Sequence, residues 1–271
     1  MTQHLMHHPS EWVERLARFG YASKGVVYGI VGLLAAQAAF GTGGRTTDTK
    51  GALQTIVEQP FGKFLLALVA IGLIGYVLWR FVQAIKDPEH QGKDVKGLAQ
   101  RVGYAINGFL YASLAYSAVQ ILLGSGGNSN SNSTQDWTAR LLSQPFGQWL
   151  VGTVGALIIG LGFYQFYQAY SAKFRRELNL TELSNQERKW VMAICRFGLL
   201  ARGIVFSITG WFLIQAATQY NPQAAGGLDE ALQTLSQQPY GPWLLGFVAL
   251  GLVAYGVYMV VKARYSQLVV N

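Results

Sequence analysis

The sequence predicts an all-α membrane protein with six transmembrane helices, built as three parallel two-helix hairpin repeats. Composition is the first reason: 51% of the residues are hydrophobic and only 13% are charged, against about 25% charged in soluble proteins. The second reason is that two short motifs each occur three times, and each copy opens an apolar stretch. A hairpin returns the chain to its starting side, so the three copies insert in the same sense. This predicts a pseudo-threefold arrangement about an axis along the membrane normal.

Six apolar segments account for most of the chain. Each is about as long as the ~20 residues that a helix needs to cross a bilayer core of ~30 Å. The 32 glycines fit this interpretation, because glycine is more frequent in transmembrane helices than in soluble ones. The segments cover residues 20–40, 61–85, 102–123, 146–170, 197–217 and 240–261.

The two motifs divide the chain into repeats. Arg-x-Gly-x(3)-Lys/Asn/Arg-Gly begins at Arg18, Arg101 and Arg196, and Gln-Pro-aromatic-Gly covers residues 59–62, 144–147 and 238–241. We therefore expect a single membrane domain, 1–271, with repeats at 11–87, 94–170 and 187–265. Apolar residues just before each Gln-Pro predict a short interfacial helix that ends near the proline, because the residue before proline disfavours helix.

The distribution of positive charge predicts the orientation. Fifteen of the 21 Lys and Arg fall in the tails and the loops after segments two and four, four fall in the alternate loops, and the other two are Lys24 and Arg202. Positive loops stay cytoplasmic, so we expect both termini in the cytoplasm. The net charge of +8 then forms a rim that attracts anionic lipid headgroups, at about 1 kcal/mol per residue. Nucleic acid is not an expected partner, because no soluble domain is long enough to present a basic face.

The first helix of each repeat has a stripe of small residues at i, i+4 and i+7, which share one face of a helix. Small residues let transmembrane helices approach closely, so we expect these stripes to pack helices together; a ligand-facing groove is the alternative. The stripes are Gly25, Gly29 and Gly32 in repeat one, Gly108, Ala112 and Ala115 in repeat two, and Gly203, Ser207 and Gly210 in repeat three.

Lys24 and Arg202 are cations inside apolar segments, and Asn107 takes the equivalent place in the second repeat. An ionisable residue inside a membrane suggests function, and all 13 Asp and Glu lie in loops or tails. Each cation is also only six residues, or ~9 Å, from the arginine that opens its motif, within reach of a headgroup by snorkelling. We therefore predict that positions 24, 107 and 202, with Arg18, Arg101 and Arg196, contact lipid headgroups or other anions, and we favour snorkelling.

Three glutamines recur 13 residues beyond these positions, and helix geometry turns them away from the cations. We expect Gln37, Gln120 and Gln215 to form intramembrane polar contacts, as bonds between helices or as interface anchors.

Reactive groups are sparse, so we expect no enzymatic activity, no cofactor and no metal site. The sequence has no intramembrane His or Cys cluster with metal-ligand spacing and no Walker-type loop, and Cys195 is the only cysteine. The favoured function is a non-catalytic helical scaffold or accessory protein that binds lipid, a membrane protein partner or a second copy of itself. The alternative is a small carrier for an anionic solute or lipid. Convergence of positions 24, 107 and 202 on one water-accessible cavity would favour the carrier, and their spreading to the headgroups would favour the scaffold.

The repeated motifs resemble those of a bacterial membrane family known as domain of unknown function 1206. The resemblance rests on R-x-G-Y-x-x-K-G-x-x-Y-x-x-x-G from Arg18, its partners from Arg101 and Arg196, and A-L-x-x-L-x-x-Q-P-[FY]-G from Ala231. It implies three tandem two-helix repeats in a bacterial plasma membrane or other internal membrane, and it brings no established activity. Repeat two has the neutral Asn107 where repeats one and three have a cation, so a cation is not a strictly repeated ligand-binding residue of the motif.

Overall fold

A computed structural model describes residues 11–87, 94–125, 133–172, 174–175, 178–181 and 183–266. Six of the helices in these ranges are long and apolar enough to cross a membrane, as predicted. They are α1 (Glu11–Ala39), α3 (Gly62–Lys86), α4 (Val95–Leu122), α6 (Gly147–Ser171), α7 (Asn185–Thr218) and α9 (Gly241–Tyr265).

Three short helices precede α3, α6 and α9, which confirms the helices predicted before each Gln-Pro. They are α2 (Thr49–Val57), α5 (Ser133–Leu142) and α8 (Leu228–Ser236). We call this end of the bundle the short-helix end, and the end with the Lys- and Arg-rich loops the basic end.

The Gln-Pro-aromatic-Gly motif forms the tight connection from each short helix to the next long one. Its aromatic residue has a left-handed backbone in all three repeats, with φ near 60° at Phe61, Phe146 and Tyr240. The following glycine lies against the short helix: a Cβ on Gly62 would be 2.3 Å from the Ile56 carbonyl oxygen. The equivalent approaches for Gly147 and Gly241 are 2.0 and 1.9 Å. A larger residue would overlap backbone atoms, so the motif requires glycine here.

The long helices pack in the order α4, α3, α1, α9, α7, α6, so neighbours in space are often distant in sequence. In each repeat the first helix packs against the second helix of another repeat: α1 on α9, α4 on α3, and α7 on α6. The two helices of repeats one and three also pack against each other. In repeat two, within the described residues, α4 and α6 make at most marginal contact. The pseudo-threefold arrangement stays a prediction.

Glycines form the closest of these helix contacts. A Cβ on Gly25 would be 2.7 Å from the Gly256 oxygen of α9, and one on Gly210 would be 2.6 Å from the Gly155 oxygen of α6. Gly32 and Gly203 also lie close to α9 and α6, respectively. The α4 stripe is looser: the nearest atom to a Cβ on Gly108 is in Phe81, at 3.3 Å.

The members of the stripes that are not glycine differ in how deeply they lie between helices. Ser207 faces α6, since a Cβ on Gly162 would be 2.7 Å from its Oγ, and this hydroxyl donates to the Gly203 carbonyl oxygen at 2.9 Å. Ala115 is buried in the hydrophobic core, whereas Ala112 is only half-buried. A packing role for Ala112 therefore stays a prediction.

Gly29 departs from the predicted stripe. The Gly29 backbone is near Gly256, but a Cβ on Gly29 would have no atom within 4 Å. The prediction that Gly29 must be small for its helices to approach is therefore wrong, because its Cβ direction points away from α9.

In two repeats, the first arginine of the Arg-x-Gly motif caps the carboxyl end of a neighbouring helix. Arg18 donates to the carbonyl oxygens of Ala263 and Arg264 at 2.9 and 2.6 Å, and Arg101 donates to those of Ala84 and Ile85 at 2.8 and 2.9 Å. The last four carbonyls of a helix lack partners within it, and arginine donors satisfy them. Each arginine thereby joins the start of one repeat to the end of another.

Candidate functional site

The hydroxyl group of Tyr76, in α3, forms hydrogen bonds with three polar side chains. It accepts hydrogen bonds from Lys24 Nζ at 3.1 Å and from Arg80 Nε at 2.8 Å, and it donates to Asn107 Oδ1 at 3.0 Å. Two acceptances and one donation use the full capacity of a tyrosine hydroxyl. Tyr76 is fully buried, so it holds groups from α1, α3 and α4 in fixed positions.

Tyrosine rings surround Lys24. Its Nζ is 4.5 Å from the Tyr111 ring centroid, 4.9 Å from that of Tyr76, and 6.0 Å from those of Tyr28 and Tyr255. Cations bind to aromatic faces at such distances, with a contribution of about 2 kcal/mol where water is excluded. Lys24 is only 2% exposed. Its ammonium group is therefore held inside the protein by ring faces and one hydroxyl.

Arg202 shares two of these tyrosines with Lys24. Its guanidinium carbon is 4.6 Å from the Tyr255 ring centroid and 5.7 Å from that of Tyr28, and its Nη1 donates to the Tyr255 hydroxyl. Tyr28 and Tyr255 themselves stack edge to face at 4.9 Å. Lys24 and Arg202, from the first helices of repeats one and three, therefore meet on the same pair of rings.

Arg80 completes the group and was missed by the sequence reasoning, which counted it with the loop charges. It lies in α3, 4.9 Å from the Tyr76 ring centroid, 5.8 Å from that of Tyr21 and 5.3 Å from that of Tyr104. Its Nη1 donates to Gln83 Oε1 at 2.8 Å. We call the full set the cation–tyrosine cluster: Lys24, Arg80, Arg202, Asn107, Tyr21, Tyr28, Tyr76, Tyr104, Tyr111 and Tyr255.

The cluster has an excess of donors and of positive charge. No carboxylate forms an ion pair with its cations in the described chain, where the recorded ion pair is Arg18–Glu14 at the basic end. Lys24 Nζ donates one hydrogen bond, to the Tyr76 hydroxyl, although an amine nitrogen has more than one N–H donor. Arg202 Nε is buried without a hydrogen-bond partner. Buried donors without acceptors are costly, so the cluster is chemically suited to an anionic group with several acceptor oxygens.

The sequence-predicted positions 24, 107 and 202 thus lie in one cluster. Lys24 does not snorkel; that prediction is wrong, because the side chain turns into the bundle to meet tyrosines of three other helices. Contact of Arg18, Arg101 and Arg196 with headgroups stays a prediction.

The glutamines lie outside the cluster. Gln37 is exposed, and Gln120 donates to the Tyr116 hydroxyl at 2.8 Å within its own helix. Gln120 thus bonds within α4 rather than to another helix, and the alternative role as an interface anchor stays a prediction for Gln37 and Gln120. Gln215 is half-buried, and its predicted contact stays a prediction.

The tyrosines of the cluster were not identified from the sequence as site residues. A signal was present: Tyr21 and Tyr28 lie three residues before and four residues after Lys24, the spacings that share a helix face. Tyr104 and Tyr111 repeat that spacing around Asn107. The tyrosines of α3 and α9 had no such local signal, because they meet the cations only through packing between helices.

Comparison with known proteins gives the family. The family model described as Domain of Unknown Function (DUF1206) matches three times, at residues 19–87, 102–172 and 197–266. The chain is also similar to the uncharacterized protein YxxB of Bacillus subtilis (strain 168), with 40% identity over 257 residues that cover 95% of this chain and 92% of the relative. No solved structure matches. The chain therefore belongs to the DUF1206 family, as the repeated motifs predicted.

Proposed function

We propose that this protein binds an anionic ligand inside the membrane, at the cation–tyrosine cluster, and that it belongs to the carrier class rather than to the enzymes. The observation that supports this is the meeting of Lys24, Arg80 and Arg202, from three different helices, with no carboxylate partner among the described residues.

The energetic argument starts from the cost of charge in an apolar interior. A charged side chain within a membrane costs several kcal/mol unless it is paired. Ring faces and hydroxyls offset part of that cost, but they add no negative charge. A bound anion neutralises the excess charge and supplies the acceptors that Lys24 and Arg202 Nε lack.

The cluster contains side chains from all three repeats, so one ligand could contact every repeat. Positions 24, 107 and 202 are the same motif position in three repeats. The neutral Asn107 accepts from Tyr76 through its oxygen, and its amide N–H groups are further donors of the kind an anion needs. The buried tyrosines hold these side chains in fixed positions, and such preorganisation lowers the cost of binding.

A scaffold is the second candidate, and one observation favours it. The tyrosines pack closely on the cations and on one another, with Tyr76 and Tyr111 centroids 4.8 Å apart. A cluster of this kind can join helices without binding anything else. A scaffold of this kind would bind membrane lipids, a membrane protein partner or a second copy of the chain.

For location, we propose a bacterial plasma membrane or other internal membrane with both termini cytoplasmic. The basis is the charge bias between the two sides, which persists when Arg80 is counted with the cation–tyrosine cluster: fourteen cations against four. The basic end then faces anionic headgroups on the cytoplasmic side.

The test is anionic lipid binding by variants of the cluster. Protein extracted in mild non-ionic detergent is titrated with phosphatidylglycerol, and bound lipid is measured by native mass spectrometry. Arg202→Gln removes a charged hydrogen-bond donor, a loss of about 1.5–3 kcal/mol, so we expect binding to weaken by about tenfold or more. Lys24→Gln should weaken it similarly, and the double variant further.

Lys63→Gln is the matched control, because Lys63 is exposed at the start of α3, away from both the cluster and the basic end. It removes the same charge and should leave binding unchanged. If the Lys24 and Arg202 variants fold and retain full binding of phosphatidylglycerol and of inorganic phosphate, the anion-binding proposal is wrong and the scaffold replaces it.

A further inference from the structure

Repeat two differs from the other repeats at the contact that closes each hairpin. A Cβ on Gly20 of α1 would be 2.6 Å from the Tyr76 backbone of α3, and a Cβ on Gly198 of α7 would be 2.4 Å from the Tyr255 backbone of α9. The two helices of each of these hairpins are therefore in close contact next to a tyrosine of the cluster. The equivalent glycine of repeat two, Gly103, would have no atom within 4 Å of its Cβ.

The partner position in repeat two is open as well. Tyr76 and Tyr255 are 0% and 1% exposed, whereas Leu161, their equivalent in α6, is 51% exposed. The helices α4 and α6 also make at most marginal contact within the described residues, so the hairpin of repeat two is open where the other two are closed. We call this opening the gap.

One of the two helices that border the gap, α4, supplies three members of the cluster. Asn107 bonds Tyr76, Tyr111 lies 4.5 Å from the Lys24 ammonium group, and Tyr104 lies 5.3 Å from the Arg80 guanidinium carbon. On the α6 side, Gln165 occupies the repeat position of Arg80 and is buried with an unpartnered Oε1.

From this we infer that the gap between α4 and α6 is a lateral entrance from the bilayer to the cluster, and that the ligand is an anionic lipid. The inference rests on the proposed function. Apolar side chains such as Leu161 suit acyl chains at the entrance, and the cations suit a phosphate headgroup at its inner end. The Lys24 position is six residues, or ~9 Å, beyond Arg18 at the basic end, so a headgroup reaches it by a short inward movement while its chains stay in the bilayer. A hydrated inorganic anion would lose its water on passing between apolar side chains, which is costly.

Filling the gap tests the entrance. The variant Gly103→Trp, Leu161→Trp adds bulk at two positions that have space for it, and we expect phosphatidylglycerol binding to fall by about tenfold. The control is Gly160→Trp, since Gly160 is also open to at least 4 Å at its Cβ and lies next to Leu161 in α6 on a different face. It should bind lipid as the wild type does. Leu161→Tyr, which restores the tyrosine of repeats one and three, is the milder second variant if the double variant does not fold, and it should weaken lipid binding in the same direction.

Binding is measured with phosphatidylglycerol and, separately, with inorganic phosphate as a competitor. Lipid binding that falls in the gap variants, persists in Gly160→Trp and resists millimolar phosphate supports the inference. Displacement by inorganic phosphate shows that the ligand is a free anion, and it overturns the lipid assignment. Lipid binding that survives the gap variants but is lost in Arg202→Gln overturns the entrance and leaves the proposed function standing. Binding of neither probe by the wild type overturns both.

Discussion

Replacing Gly25 or Gly29 by alanine separates close helix packing from the general effect of removing glycine from a helix. Both residues lie in α1, four positions apart. A Cβ on Gly25 would be 2.7 Å from the Gly256 oxygen and 2.9 Å from Val260 Cγ2, whereas one on Gly29 would meet no atom within 4 Å. The same methyl group is thus added once into contact with α9 and once into open space.

The magnitude follows from two effects. Alanine is favoured over glycine inside a helix by roughly 0.5–1 kcal/mol, and both variants gain this. Ordinary contact begins at 3.4 Å, so the Gly25 methyl group is 3.4 − 2.7 = 0.7 Å too close to the Gly256 oxygen. Overpacking of this kind costs about 1–3 kcal/mol. We expect Gly29→Ala to be stabilising and Gly25→Ala to be less stable than Gly29→Ala by about 1–3 kcal/mol.

Equilibrium unfolding in mixed micelles, with SDS as the denaturant, measures the difference directly. The reasoning about α1 and α9 is refuted if the two variants have equal free energies of unfolding. Gly256→Ala gives an independent check, since its Cβ would lie 2.7 Å from the Gly25 oxygen, and it should resemble Gly25→Ala.

Three further predictions concern the two ends of the bundle. Gly62→Ala should lower the free energy of unfolding in the same assay by about 1–3 kcal/mol, because its Cβ would overlap the backbone of α2; an unchanged value contradicts the account of the motif. Burial, and then a hydrogen bond with the neighbouring Glu230 side chain, raise the pKa of Asp229 to about 8. The folded pKa therefore exceeds the unfolded value of about 3.9. This group stabilises the fold most at low pH, and its contribution is lost as pH rises through about 8. Thermal unfolding from about pH 5 to about pH 9 should therefore show a stability loss that Asp229→Asn reduces, and an identical pH profile in the variant would show that another group is responsible. In a Cys195→Ser background, an impermeant maleimide added to intact cells should label Gln223→Cys and leave Gln186→Cys unlabelled, and the reverse pattern would invert the proposed orientation.

The fold was predictable because repetition and hydrophobicity are local properties of the sequence. The apolar segments, the short helices before Gln-Pro and the start of α7 at the Ser184–Glu187 capping box all follow from residues close together in the chain. Each agrees with the structure to within a few residues, apart from the polar extensions that precede the apolar parts of α1, α4 and α7.

The cluster was only partly predictable, because it depends on which helices become neighbours. Lys24 and Arg202 were identifiable as intramembrane cations, but the sequence does not show that α1 packs on α9 and thereby brings Tyr255 to both of them. Arg80 lies near the basic end of an apolar segment, where hydropathy alone does not distinguish a buried arginine from one that reaches the surface.

The gap in repeat two illustrates the same limit. The change from tyrosine to Leu161 is visible when the repeats are aligned, yet it does not reveal a separation between α4 and α6. That separation follows from the packing of α4 on α3 and of α6 on α7. Conversely, the direction of the Gly29 Cβ could not be deduced from a stripe of small residues, because helix crossing geometry decides which member of a stripe lies at the contact.

The most direct test of anion binding at the cluster is solid-state NMR of phosphorus–nitrogen dipolar couplings in phosphatidylglycerol bilayers. The protein is labelled with nitrogen-15 in its Lys and Arg side chains, and the signals of Lys24 and Arg202 are assigned by their loss in Lys24→Gln and Arg202→Gln. We expect phosphorus to dephase both signals, which places a phosphate next to two buried cations. Dephasing confined to other cations, with none at Lys24 or Arg202, would contradict the proposal that the cluster binds an anion.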